Sequence, residues 1–235
     1  MRFLPIVLIA ALAACEPVDV TAPTAETPVL QQAPAGPRLS QRAALRNFSS
    51  VVATVEPVAE RYCRQRSPNL NCDFRIVVDD RPGQPANAYQ TLDRNGRPII
   101  AFTVPLIAEA RNRDELAFVM AHEAAHHIRG HIARQQQNAT VGALVFGQLA
   151  GALGASNSVD TAQQLGATVG ARTYSKNFEL EADALGTEIT AAAGYDPLKG
   201  AQFFFRIPDP GNRFLGTHPA NADRLRTVQE VASRL

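Results

Sequence analysis

The sequence predicts an α+β domain that is mostly helical, with a small β-sheet of about three strands and one buried helix. Apolar residues recur at helical spacing in several segments after residue 39. Segments that resemble strands are short and are confined to 73–103. The segment 113–136 is apolar on almost every side, which predicts a helix that its neighbours bury.

The N-terminal residues are expected to lie outside this domain. Residues 1–14 combine one positive charge with a short apolar run, which is typical of a secretory signal peptide and too short to cross a bilayer. The run ends in Leu-Ala-Ala-Cys, which resembles the lipobox of bacterial lipoproteins and implies cleavage before Cys15 and lipidation of that residue. An ordinary signal peptide cut nearby is the alternative. Residues 15–38, rich in Pro, Ala and Thr, predict a flexible tether, and the domain is expected to cover 39–235.

The residues around the lipobox and the cysteine count predict the compartment. Glu16 stands where some bacteria place the Asp that retains lipoproteins in the inner membrane, so we expect a periplasm-facing lipoprotein, with the outer membrane as first choice. If Cys15 is lipidated, Cys63 and Cys72 remain, and export to an oxidising compartment favours a disulfide between them.

The charge of the chain excludes one class of partner. The formal net charge is only +1, so nothing indicates nucleic-acid binding, and no run of Lys or Arg predicts electrostatic docking on a membrane. The expected membrane attachment is the lipid on Cys15. The oligomeric state is not predicted.

The first half of the domain is predicted to contain the sheet between two long helices. Residues 40–64 predict an amphipathic helix bent at Pro57. Asn112 and Glu115 predict the start of the buried helix, as N-cap and capping-box partner. Between these helices we expect a strand at 73–79, a hairpin of Asn87–Leu92 and Arg97–Thr103 around Asn95-Gly96, and a short helix at 103–111.

The second half is predicted to be entirely helical. Residues 139–155 are mostly Ala, Val, Leu and Gly, and Gln148 interrupts them, so we expect a tightly packed core helix; a membrane-dipping element is the alternative. The helices expected after it are a second small-residue helix at 159–170, one from Asn177 to Ala193, one that starts at Asp196-Pro197, and one from His218-Pro219 to Leu235.

The buried helix carries the motif His-Glu-x-x-His at 122–126. Residues four apart on a helix lie about 40° apart in projection, so the imidazoles of His122 and His126 can reach one ion. Glu123 can hold the water that such an ion polarises, which is the layout of a zinc peptidase. The alternative is a buried helix that matches by chance. His127 and His131 are interpreted as structural, pointing away from this face toward backbone carbonyls, with a second metal site as the alternative.

A catalytic zinc site needs a third protein ligand, and here a carboxylate is expected. No histidine follows the motif at the spacing of zincins with three histidines. Glu179 and Asp183 share one helix face, so either can ligate while the other supports a ligating histidine. Glu181 faces the other side and is the weaker candidate. The alternative is an ordinary solvated helix face.

Several motifs, in order, resemble one family across residues 40–235. The family is the HtpX-like and CAAX-prenyl-protease-like zinc metallopeptidases, peptidase family M forty-eight, which implies a gluzincin-type domain. The soluble periplasmic lipoprotein members are the most similar, because the transmembrane helices of other members are missing. The matching motifs are His-Glu-x-x-His, Phe-Glu-x-x-Ala-Asp at 178–183, Thr217-His218-Pro219 with Arg224, and Asn87-Ala88-Tyr89, which resembles the family's edge-strand Asn-Ala-Phe.

The resemblance implies a role for each matching residue. Glu179 would be the third ligand of one Zn²⁺ per chain, and Asp183 its supporting partner. His218 would lie near the metal, either stabilising the transition state or capping the open position. Arg224 would help to fix that loop. The strand at 87–92 would bind substrate by β-strand addition.

The implied activity is zinc endopeptidase activity on unfolded, misassembled or stalled envelope proteins. Zinc would polarise the scissile carbonyl and acidify a water, while Glu123 takes the proton and later delivers it to the leaving amine. The alternative is a zinc-containing periplasmic chaperone or assembly factor whose proteolysis is latent or dispensable.

Overall fold

A computed structural model describes residues 32, 34, 36–173, 175–206 and 219–235. The expected signal peptide, Cys15 and His218 lie outside the described residues. The elements are α1 (Gln41–Arg66), β1 (Arg75–Asp79), β2 (Ala88–Leu92), β3 (Pro98–Thr103), α2 (Val104–Glu109), α3 (Arg113–Ile128), α4 (His131–Ala152), α5 (Val159–Thr173), α6 (Ser175–Ala192), α7 (Pro197–Gly200) and α8 (Asn221–Ala232), with short 3-10 helices at Ser156–Ser158 and Ala201–Phe205.

The predicted α+β class is confirmed, with a three-stranded mixed sheet in the order β1-β3-β2. β1 runs parallel to β3, and β2 runs antiparallel to it as the predicted hairpin, with Tyr89 opposite Ala101. Gly96 adopts φ 77° in the hairpin loop, a conformation that glycine favours. In the sheet that the described strands form, β2 lies at one edge.

The core lies where α1, the sheet, α3 and α6 meet. Its largest fully buried side chains include Phe74 and Phe102 near the sheet and Leu116 and Met120 on α3. The predicted disulfide between Cys63 and Cys72 is confirmed, with Cα atoms 5.6 Å apart. The disulfide joins the last turn of α1 to the segment before β1. Both cysteines are buried in the same hydrophobic core, which brings the two segments together.

The prediction of one motif helix over 113–136 is wrong, because α3 ends at Ile128 and α4 starts at His131. Gly130 adopts φ 65° between them, and this left-handed residue ends the first helix. The start is as predicted: the Asn112 side chain accepts a hydrogen bond from the Glu115 N–H at 2.9 Å. The Glu115 carboxylate accepts in turn from the Arg111 N–H at 2.8 Å.

The prediction of a tightly packed core helix at 139–155 is also wrong. α4 packs against α5, and large side chains of α4 stay exposed, with Leu144 56% exposed and Leu149 55% exposed. The small residues serve the contact between the two helices: a Cβ on Gly142 would lie 2.0 Å from the carbonyl oxygen of Gly166. Among the described residues, no helix is both long and apolar enough to cross a membrane.

The last helix starts later than predicted. α8 begins at Asn221, so Pro219 precedes the helix rather than lying in its first turn. The side-chain amide of Asn221 donates to the carbonyl oxygen of Phe204 at 2.9 Å, which attaches the start of α8 to the preceding 3-10 helix. The predicted start at Asp196-Pro197 is confirmed, since Asp196 caps α7 by accepting from two backbone N–H groups. Together these segments place α8 against α6.

Candidate metal centre

Two imidazoles and one carboxylate converge where α3 packs on α6. The Nε2 atoms of His122 and His126 lie 3.0 Å apart. Glu179 on α6 places one carboxylate oxygen 3.5 Å from the first of these atoms and the other oxygen 3.4 Å from the second. One ligand atom from each residue lies within 4.8 Å of the others, so the three could hold one metal ion.

A glycine on α6 explains why the two helices come so close at this point. A Cβ on Gly186 would lie 3.0 Å from the backbone nitrogen of His122, which is tighter than ordinary packing. Ala182, one turn earlier, and Ala121 on α3 are both fully buried. The small residues therefore let the backbones approach until side chains from both helices reach the same point.

Asp183 holds the other side of the His122 ring. Its Oδ1 lies 2.9 Å from His122 Nδ1, and the carboxylate is fully buried. Arg224 on α8 donates to both carboxylate oxygens at 2.7 Å, and its guanidinium also stacks on the Phe204 ring. A carboxylate at Nδ1 directs Nε2 toward the proposed ion.

The charges around His122 set its electrostatics. Burial alone would raise the pKa of Asp183, but the charges and hydrogen bonds of Arg224 and His122 together outweigh burial and hold that pKa below its ordinary value. Burial is likewise the largest single effect on His122 and opposes its protonation, but the Asp183 and Glu179 carboxylates together outweigh burial and raise the pKa of His122 to about 10. This ring therefore lies in a strongly negative environment, which also favours a bound cation.

The His126 ring is held by His131, whose position the sequence interpretation predicted wrongly. His131 was expected to point away, but its Nδ1 lies 2.8 Å from His126 Nδ1. His127 does contact a backbone carbonyl, with Nε2 2.8 Å from the oxygen of Asn71. Burial first, and the neighbouring His122 charge second, lower the pKa of His126 to about 3.

Glu123 faces a cavity of about 590 Å³ beside these three residues. Burial raises the pKa of its carboxyl to about 7. The edge strand β2 forms another wall, and the backbone N–H of Gln90 hydrogen-bonds toward Glu123. The apolar part of the lining includes Phe118, Phe178, Phe203 and Phe204.

The predicted substrate-binding residues also line this cavity. Asn87, Ala88 and Tyr89 lie along the wall that the edge strand provides. Asn87 precedes β2 and stays attached to β3, because its carbonyl oxygen accepts from the Thr103 N–H at 2.9 Å. The Tyr89 hydroxyl hydrogen-bonds to Asp79 at 3.1 Å, which ties β2 to the far strand. No other described strand pairs with the outer edge of β2.

Comparison with known proteins identifies the family. Residues 46–232 match the sequence profile of peptidase family M48. The chain belongs to peptidase family M48. Because M48 is a family of zinc metallopeptidases, the predicted class of enzyme is confirmed, and the gluzincin-like cluster of two histidines and a glutamate agrees with it.

Curated relatives of the chain are bacterial proteins whose names describe beta-barrel assembly-enhancing proteases. A Vibrio cholerae protein, provisionally named beta-barrel assembly-enhancing protease, is 34% identical over 210 residues, which cover 80% of this chain and 42% of the relative. Beta-barrel assembly-enhancing proteases of Escherichia coli O157:H7 and Yersinia pestis are 32% and 30% identical, over 53% of this chain and 28% of theirs. The chain thus spans less than half the length of these relatives.

His218 and Cys15 lie outside the described residues, so their roles stay predictions. Arg224, expected to fix the loop of His218, contacts Asp183 and His122 among the described residues and stacks on Phe204. The contact of His131 with His126 was not predicted from the sequence. In one continuous helix, residues five apart point in different directions, so only the helix break at Gly130 brings the two rings together.

Proposed function

We propose that this chain is a zinc-dependent endopeptidase of the bacterial envelope that hydrolyses misfolded or stalled envelope proteins. One observation carries the proposal: His122, His126, Glu179, Glu123 and the edge strand β2 all line one cavity. The names of the relatives and the lipobox-like sequence at Cys15 support the envelope location.

The residues present fit zinc. Two imidazole nitrogens and one carboxylate oxygen form the donor set of catalytic zinc sites, which keep a further position open. Both ligating imidazoles have their second nitrogen engaged, His122 by Asp183 and His126 by His131, as metal-bound histidines usually do. When bound, zinc supplies Lewis-acid chemistry, polarising the scissile carbonyl and making an attacking water more acidic.

Glu123 is the proposed general base. Its neighbour His122 is a proposed ligand, and its carboxylate lines the same cavity, so it can accept a proton from a water near the ligating atoms. The same carboxyl then donates that proton to the leaving amine. A carboxyl group can act first as base and then as acid when its pKa lies near the working pH, and burial raises the pKa of Glu123 to about 7.

The outer edge of β2 is the proposed docking site for the substrate chain. An extended peptide added there would be held by main-chain hydrogen bonds, which require no particular side chains. This mode suits misfolded proteins, because such chains expose extended segments of varied sequence. The aromatic residues of the cavity would add a preference for an apolar side chain near the scissile bond.

A second function is an assembly factor with latent or dispensable proteolysis. The relatives' names, which couple assembly of β-barrels to protease activity, favour this alternative. His218 bears on it, since a histidine that caps the metal would keep the enzyme latent, whereas one that faces substrate would stabilise the oxyanion. Replacement by alanine should raise basal proteolysis under the first role and lower it under the second.

The experiment that tests the proposal is cleavage of an unfolded protein by the full-length chain in detergent. Activity should disappear when a chelator removes the metal and return when stoichiometric zinc is added. Cleavage that persists at full rate in the metal-free protein would refute a zinc peptidase. A metal-loaded protein that suppresses aggregation of the substrate without cutting it would instead support the assembly factor.

A further inference from the structure

We propose that His131 and Glu181 position the ligand His126 through a chain of hydrogen bonds, and that this chain tunes the affinity and geometry of the metal centre. The proposal rests on the metal site argued above. His131 is the first residue of α4, and Glu181 lies on α6, so the chain joins three helices around one ligand. His131 Nδ1 lies 2.8 Å from His126 Nδ1, and His131 Nε2 lies 3.2 Å from a Glu181 oxygen.

The proton positions along this chain follow from the ligating atom. If His126 uses Nε2 for the metal, its proton is on Nδ1, which must then donate to Nδ1 of His131. The neutral His131 therefore carries its own proton on Nε2, from which it donates to the Glu181 carboxylate. Each of the two hydrogen bonds thus has one donor and one acceptor, and neither histidine needs a second proton.

Packing holds the His131 ring in the orientation that this chain requires. The ring is 4% exposed and stacks on Phe178 at an interplanar angle of 10° and a centroid distance of 4.6 Å. Arg134 lies over the same phenylalanine ring and donates to both oxygens of Glu181, at 2.6 and 3.1 Å. Rotation of His131 would break the stack and both hydrogen bonds together.

The two ligating histidines are therefore supported in different ways. His122 contacts the buried Asp183 carboxylate directly, whereas a neutral imidazole separates His126 from its carboxylate. Because Glu181 is about one-third exposed, the negative charge behind His126 is screened and lies farther away. The structure thus assigns His131 the task of fixing the tautomer and the ring plane of His126 rather than that of supplying charge.

Two substitutions of His131 separate this positioning role from simple packing. An asparagine amide overlays Nδ1 of a histidine and can still accept from His126, whereas a glutamine amide overlays Nε2 and cannot. We expect His131→Gln to weaken zinc binding about 10- to 100-fold, as loss of a partner behind a ligand commonly does. His131→Asn should stay within about threefold of wild type.

The measurements are zinc affinity by competition with a chelator and the visible absorption of the protein loaded with Co²⁺. The Co²⁺ spectrum should change in His131→Gln and stay as in wild type in His131→Asn. The matched control is His127→Gln, another buried histidine of the same region whose described hydrogen bond goes to Asn71 instead of to the metal centre. Its zinc affinity should equal that of wild type.

Glu181 provides a second test if the His131 variants fail to fold. Glu181→Gln keeps an oxygen that accepts from His131, whereas Glu181→Leu removes it, so only the leucine variant should lose affinity. Equal affinity in all variants, or equal losses in the members of each pair, would overturn the positioning role and leave the metal centre intact. A folded wild-type protein that binds neither zinc nor Co²⁺ would overturn the proposed zinc peptidase and this inference with it.

Discussion

Arg224 and Asp183 form a bidentate ion pair behind the candidate metal centre, although they stand 41 positions apart in the chain. Both hydrogen bonds are 2.7 Å long, and both side chains are buried. The same Asp183 carboxylate contacts the Nδ1 atom of His122. The pair therefore couples the docking of α8 on α6 to the orientation of a proposed ligand.

Loss of the arginine should destabilise the fold strongly. Arg224→Met keeps the length of the side chain but leaves the Asp183 carboxylate buried without its partner, which costs on the order of 3–5 kcal/mol of unfolding free energy. Arg226→Met is the control, because Arg226 pairs with Asp223 at the surface and contributes at most about 1 kcal/mol. Urea denaturation measures both. Similar small losses in the two variants would contradict the buried pair.

Substitutions of Glu179 and Glu181, two acidic residues of α6, should have different effects on the zinc content of the protein. Glu179→Gln replaces a charged ligand by a neutral amide, so zinc retained after dialysis should fall roughly tenfold or more. Glu181→Gln should retain zinc, because its amide oxygen still accepts from His131. Elemental analysis of the purified variants decides this. Equal zinc in wild type and Glu179→Gln would remove Glu179 from the ligand set.

The disulfide should stabilise the domain through the loop that it closes. Cys63 and Cys72 are nine positions apart, and a loop of this size predicts about 2–3 kcal/mol of stabilisation. A variant with both cysteines replaced by alanine should lose that much free energy of unfolding in non-reducing buffer. In reducing buffer the wild type should fall toward the variant. Identical stability in both buffers would show that the crosslink contributes nothing.

The pairing of α4 and α5 should depend on glycine at the crossing. A Cβ on Gly166 would lie 2.2 Å from the Gly142 carbonyl oxygen, so Gly166→Ala must push the helices apart at a cost of about 1–3 kcal/mol. Gly151→Ala is the control, since a Cβ there meets no atom within 4 Å. It should be neutral or slightly stabilising. Hydrogen exchange of the two helices should rise only in the first variant.

The parts predicted correctly depended on local geometry. That His122 and His126 lie on one face of a helix follows from their fixed spacing, and the N-cap at Asn112 follows from side-chain chemistry next to it. The hairpin and the Cys63–Cys72 disulfide also join residues that are near in sequence. In each case the relevant distance is set within a few turns or a short loop.

The errors came where distant segments decide the structure. Small apolar residues suit a core helix and a close helix pair equally well, so composition could not show that α4 packs on α5 and leaves Leu144 exposed. His131 was assigned to the wrong face because the left-handed Gly130 redirects the chain before α4. The contact of Arg224 with Asp183 on α6 joins residues 41 positions apart, so no local pattern could predict it.

The most direct test of the account replaces the proposed base alone. Glu123→Gln preserves the size of the side chain and leaves the three ligating residues in place, so the variant should fold and bind zinc as wild type does. Its cleavage of an unfolded protein should fall by about 10²- to 10⁴-fold, because only proton transfer is lost. The measurement is the cleavage rate at equal zinc occupancy. A rate near that of wild type would contradict the proposal that Glu123 is the general base for hydrolysis at this centre.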